Sequence, residues 1–122
     1  MQIIRNILRS FGYAIEGIFY MLGTQRNARV ECVAGVLVVG VATWLRVTTA
    51  DWAILLLTIG VVLAAEAINT AIERMVDLLS PERREEAKHA KDAAAAAVLL
   101  VSIAAVGVGL VVLGPPLWAK LS

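Results

Sequence analysis

A chain of 122 residues suffices for one packing unit and is too short for two, so its activity comes from that unit or from copies of it. An apolar fraction of 60%, against roughly 45–50% in soluble domains, points to lipid, and a net charge of +1 excludes the broad basic field that gathers nucleic acid. One histidine and one cysteine leave little room for zinc or thiol chemistry and none for an internal disulfide.

Arg5 and Arg9 open the chain without the long apolar core and small-residue cleavage site of a removable leader, so the N terminus is expected to remain in the mature protein. Ile3, Ile7, Phe11, Ile15, Ile18 and Leu22 recur at helical spacing, with Arg5, Arg9 and Glu16 off that stripe. This pattern predicts an amphipathic surface helix over about residues 1–22, lying along the membrane interface, although it also suits packing on partner helices. Residues 30–47 are apolar except for Glu31 and Arg46 and are just long enough for a first transmembrane span. Cys32 lies in that run and reads as a small buried or lipid-facing hydrophobe. Thr48-Thr49-Ala50-Asp51 is a short polar break, with Asp51 expected to cap a helix that begins at Trp52, an aromatic suited to the interface.

The second span is expected over residues 52–79, about 42 Å of helix against a hydrocarbon core of about 30 Å, so one end must protrude. Ser80-Pro81 ends it, and the charged stretch 82–92 is expected to be a soluble loop or short helix. A third span is expected over residues 93–113, interrupted only by Ser102 and stopped by Gly114-Pro115-Pro116. The fold class is therefore an all-α membrane protein, one domain over residues 1–122 with a surface helix and three transmembrane helices. Nine of the eleven Lys and Arg residues lie before the first span or from Arg74, in the protruding end of the second, to Lys91 before the third; Arg46 and Lys120 lie opposite. That asymmetry places both basic clusters on the cytoplasmic side of a multi-pass cell-membrane protein.

Within the second span, Glu66, Asn69, Glu73 and Asp77 fall at helical offsets that confine them to an arc of roughly 80°. Between Trp52 and Ala65 the only polar side chain is Thr58, so Glu66 sits at the membrane boundary, where a carboxylate is costly unless partnered. Three carboxylates and an amide on one face suit a hard divalent cation such as magnesium better than zinc. They would also supply a proton acceptor at the depth where a lipid hydroxyl meets dissolved nucleotide. No Walker-type or kinase-type glycine-rich loop is present, leaving Lys91-Asp92 as a substitute phosphate contact. The bland alternatives are a polar stripe that glues helices together in a non-catalytic membrane scaffold and, for Lys91-Asp92, an interface anchor with a helix cap. An ion conduit would need polar residues continuing through the outer half of the spans, and they do not continue.

The string Glu66-Ala-Ile-Asn69-Thr-Ala-Ile-Glu73-Arg-Met-Val-Asp77, with Ala90-Lys91-Asp92 opening the third span, closely resembles the prokaryotic diacylglycerol kinase family, which includes the undecaprenol kinases. Ser10-Phe-Gly-Tyr13-Ala-x-x-Gly17 and Gln25-Arg-Asn27 match the family's N-terminal helix and its junction with the first span, so the likeness covers nearly the whole chain. The resemblance implies a homotrimer with active sites between subunits at the cytoplasmic face, binding Mg2+ with ATP and a lipid alcohol, undecaprenol slightly ahead of diacylglycerol. By that likeness Glu66 is the general base, Asn69 orients it or the substrate, and Glu73 holds the metal. Tyr13, Asp77, Glu82, Lys91 and Asp92 match positions around the nucleotide, and Glu31 one near the lipid. Gln25 stands where many members carry a second metal-binding glutamate; its amide oxygen coordinates without charge.

Overall fold

Three short breaks divide an otherwise continuous helical chain. The computed structural model describes residues 1–122 as α1 (Gln2–Thr24), α2 (Arg26–Leu45), α3 (Thr49–Leu79) and α4 (Glu85–Leu121). The first break is the single residue Gln25, extended at φ −112° and ψ 113°, whose N–H still donates to the Met21 carbonyl and so closes α1. At the second break Arg46 takes the left-handed conformation (φ 53°, ψ 51°) usually given to glycine. Its N–H donates to the Thr43 carbonyl, and the next N–H, from Val47, donates to Ala42, so two carbonyls at the end of α2 are satisfied together.

The cap of α3 differs from the expectation. Thr48, not Asp51, is the N-cap: its hydroxyl oxygen accepts from the Asp51 N–H at 3.2 Å, and the helix starts at Thr49, before Trp52. Asp51 sits in the first turn, where its charge favours the positive end of the helix dipole. The third break, residues 80–84, follows Leu79 as expected from Ser80-Pro81.

Helix α4 overturns two further expectations. The charged stretch is neither a free loop nor a separate helix; from Glu85 onward it forms the opening turns of α4 itself. The helix also runs through Pro115 and Pro116 to Leu121. Proline's fixed φ of about −65° is itself helical; what it removes are the donors for the Val111 and Val112 carbonyls, a loss that weakens a helix without forbidding it. Beyond the prolines, Lys120 ties α4 to the end of α2: its Nζ donates to the Trp44 carbonyl at 3.1 Å and lies 4.7 Å from the centre of the Trp44 ring.

Helices α2, α3 and α4 are each long and apolar enough to cross a membrane. Only ten of the 122 residues are buried, too few to hold a water-soluble fold, so most of the apolar surface must meet lipid or other chains. The most extensive pairing is α3 on α4, with α2 packed on both. On α2 the buried residues are Ala28, Gly35 and Ala42, one every seventh position, a seam of small side chains that lets α3 approach. At Gly35 a Cβ would lie 3.3 Å from the Ile59 side chain, so alanine there already crowds the seam. The buried face of α3 changes character along its length: Leu55 near one end, Glu66, Asn69 and Thr70 toward the other.

Candidate active site

The polar half of α3 holds its side chains in place by a short chain of hydrogen bonds. Thr70 turns its hydroxyl back onto the Glu66 carbonyl at 2.8 Å, which satisfies a buried donor locally. Asn69 Nδ2 donates to Glu73 Oε1 at 3.1 Å, one turn further on. The other oxygen of Glu73 accepts from Gln25 Nε2 at 3.2 Å, so the break between α1 and α2 is stitched directly to α3. Glu73 is thus held from both sides by neutral amides, which fix its position.

Three oxygens around this chain have no partner. Glu66 is 1% exposed, and its Oε2, together with Asn69 Oδ1 and Glu31 Oε2, is buried without a hydrogen bond. An orphaned buried acceptor costs about 1–3 kcal/mol, so three together are hard to reconcile with helix glue. Glue would spend these groups on one another; here three acceptors stay unpaired within the chain, and a donor or a cation from outside would satisfy them. Glu31 also lies at the end of an apolar cleft of about 290 Å³ between α2, α3 and α4 that includes Gly35, Ser102 and Gly109.

A second, polar groove of about 540 Å³ lies where α3 ends and α4 begins. It collects Asp77, Glu82, Lys91 and Asp92, four of the residues expected around a nucleotide, together with Arg83, Arg84 and Lys88. Lys91 Nζ bonds Asp77 Oδ1 at 2.5 Å across the two helices, whereas Asp92 is paired with Lys88 at 2.6 Å along α4. The hydrogen bond from Lys88 holds the Asp92 carboxyl below the ordinary carboxylate range, against the smaller opposing effect of desolvation. Sequence reasoning singled out Lys91 and Asp92 but missed Lys88, whose signal was its place four residues before Asp92.

Tyr13 is not gathered with the others: it stands 68% exposed on α1 and lines neither of these grooves. No three His, Cys, Asp or Glu side chains converge closely enough to hold an ion unaided. The donors that do converge, Glu73 with the amides of Gln25 and Asn69 beside unpartnered oxygens, are hard ligands of the kind that share an ion with phosphate and water.

Comparison with known proteins shows the family. The profile of the prokaryotic diacylglycerol kinase family matches residues 12–113. A diacylglycerol kinase of Synechocystis sp. is 46% identical over 95% of this chain and 67% of its own length. An undecaprenol kinase of Bacillus subtilis is 33% identical over 93% of each chain, and a diacylglycerol kinase of Escherichia coli 35% identical over 83% of each.

Proposed function

The chain belongs to the prokaryotic diacylglycerol kinase family, and from that premise we propose that it transfers the γ-phosphate of ATP to a lipid alcohol at the cytoplasmic face of the cell membrane. The observation that carries the reading is a pair of environments on α3: a buried carboxylate without a partner, Glu66, and about three turns further along a groove of mixed charge that presents Arg83, Arg84, Lys88 and Lys91. In this reading the lipid hydroxyl oxygen attacks the γ-phosphorus, its proton passes to Glu66, and the bond to the departing ADP oxygen breaks. Glu66 then returns the proton to water. Asn69 positions Glu66 or the hydroxyl, and Glu31 lies beside the lipid.

The nucleotide occupies the groove, with Lys91 and Lys88 toward its phosphates and Asp77, Glu82 and Asp92 shaping the rest. Lys91 must exchange Asp77 for phosphate, a modest cost for a half-exposed ion pair. Tyr13 would have to come from an adjoining subunit or from movement of α1, consistent with a homotrimer whose sites lie between chains. Magnesium bound with the nucleotide would neutralise charge on the β- and γ-phosphoryl oxygens. Glu73 and the amide oxygen of Gln25 are the residues that would hold it. Residues 1–122 work as one unit in this account, and α1, with Ile3, Ile7, Phe11 and Ile15 all exposed, lies along the interface.

Diacylglycerol and undecaprenol are the two acceptors that the relatives' names supply, and both present one hydroxyl on a long apolar body. The test is to incubate the purified protein in lipid with γ-labelled ATP and magnesium, offering diacylglycerol and a C55 polyprenol side by side. Label should appear in one lipid or both and depend on magnesium. No labelled lipid from either acceptor would favour the non-catalytic scaffold.

A further inference from the structure

We infer that Arg29 is a positioning residue for the metal-nucleotide site, acting through the end of α1 and the Gln25 elbow; this rests on the reading above, in which Gln25 and Glu73 hold the nucleotide's cation. Helix α1 ends with open carbonyls and no basic residue in its own last turn. The missing charge comes from the next helix: Arg29 Nη1 donates to the Leu22 carbonyl at 2.8 Å and the Gly23 carbonyl at 3.4 Å. One guanidinium nitrogen therefore spans two final carbonyls of α1 from the first turn of α2, where it also complements the negative end of the α1 dipole.

Between those two anchor points lies a single non-helical residue, Gln25. A one-residue elbow has one φ and one ψ to set the angle between two helices, and small changes there swing its side chain widely. Four contacts hold it: its own N–H on Met21, its carbonyl accepting from the Arg29 N–H at 3.4 Å, the Arg29 side-chain clamp, and the Gln25–Glu73 bond at 3.2 Å. The last is the contact that a cation must remodel. While it is being exchanged, the elbow is kept in place by its two backbone bonds, to Met21 and from the Arg29 N–H, and by the Arg29 guanidinium, the one side-chain contact left. Arg29 appears on no ion pair with Asp or Glu, so its charge is committed to the elbow and not to a carboxylate.

The test compares Arg29→Ala and Arg29→Lys with wild type by three readouts. The first is binding of magnesium with a non-hydrolysable ATP analogue, by calorimetry. The second is the split between KM for Mg·ATP and KM for the lipid. The third is the distance distribution between spin labels at Cys32 on α2 and a Ser10→Cys site on α1. The expected result for Arg29→Ala is about a tenfold weaker affinity for the metal-nucleotide pair, an unchanged KM for lipid and a broadened α1–α2 distance. Arg29→Lys, which keeps the charge but loses the planar fork, should recover only part of the affinity.

Unchanged metal-nucleotide affinity in Arg29→Ala, or full recovery by lysine, overturns the inference, because the first removes the coupling and the second reduces Arg29 to a headgroup charge. Glu73→Gln, measured alongside, separates the two levels. If it binds the metal-nucleotide pair as tightly as wild type, the underlying assignment of the cation site fails whatever Arg29 does. If it loses binding while Arg29→Ala does not, only the elbow is refuted.

Discussion

The two ends of the helical bundle each join elements through polar side chains, but only one end leaves anything unspent. At the hairpin end, Lys120 donates a hydrogen bond to the Trp44 carbonyl and lies against the Trp44 ring, and Thr48 caps α3; no buried side-chain oxygen or nitrogen there lacks a partner. At the loop end, Glu66, Asn69 and Glu31 keep buried oxygens without partners, and further along α3 a groove is lined by four basic and four acidic side chains. Both ends hold helices together, so polar contact alone does not mark a site. What separates them is incompleteness: acceptors that only a proton or a cation from outside can satisfy.

The comparison is broken most severely at Glu66. Glu66→Gln should lower the phosphoryl-transfer rate by a factor of about 10²–10⁴, the usual scale for a lost general base, with helicity and assembly retained. A rate within threefold of wild type would remove Glu66 from the mechanism. Lys91→Met should raise KM for ATP by about tenfold and leave KM for lipid alone, since a phosphate contact in the groove is lost while the lipid side is untouched. Gln25→Glu sharpens the contrast: a second carboxylate against Glu73 should lower thermal stability without metal and raise the affinity for magnesium-nucleotide, the two moving in opposite directions.

At the closed end the effects should be smaller and of another kind. Lys120→Ala should cost about 1 kcal/mol of stability, through a neutral-acceptor hydrogen bond and a cation–π contact at an exposed position, with the transfer rate preserved. The smallest effect concerns pH. The Asp92 carboxyl is depressed by Lys88, so the Lys88–Asp92 bond contributes at any pH above the ordinary aspartate range and fades only as pH falls through the lowered folded value. Between pH 5 and 8, KM for ATP in Lys88→Ala should therefore differ from wild type by a constant factor; a difference that grows between pH 5 and 8 would contradict this.

Much of this architecture is legible in the residues because hydropathy runs are long and their interruptions few. Residues 30–47, 52–79 and 93–113 stand out without any knowledge of packing, and the stripe from Glu66 to Asp77 follows from helical spacing alone. What was not legible depended on context. Pro115 and Pro116 read as a stop because their cost is local, while the Lys120 anchor beyond them comes from Trp44, distant in sequence. Thr48 and Asp51 are both good caps, and only the backbone decides between them. Lys91 reaches Asp77, and Asp92 turns to Lys88, because α3 and α4 approach at that height, a fact of tertiary packing. Arg29 looked like one more cytoplasmic charge; its target is two backbone carbonyls, which no side-chain pattern reveals.

The most direct measurement replaces magnesium with Mn2+, adds a non-hydrolysable ATP analogue, and reads the distance from the ion to a spin label placed either at Ser80→Cys, in the loop between α3 and α4, or at Ser122→Cys, beyond the far end of α4. The account predicts a bound ion close to the loop label and about 30 Å or more from the far one, a full hydrocarbon thickness away, with binding lost in Glu73→Gln. An ion nearer the far label, or one that binds equally well without the Glu73 carboxylate, would contradict it.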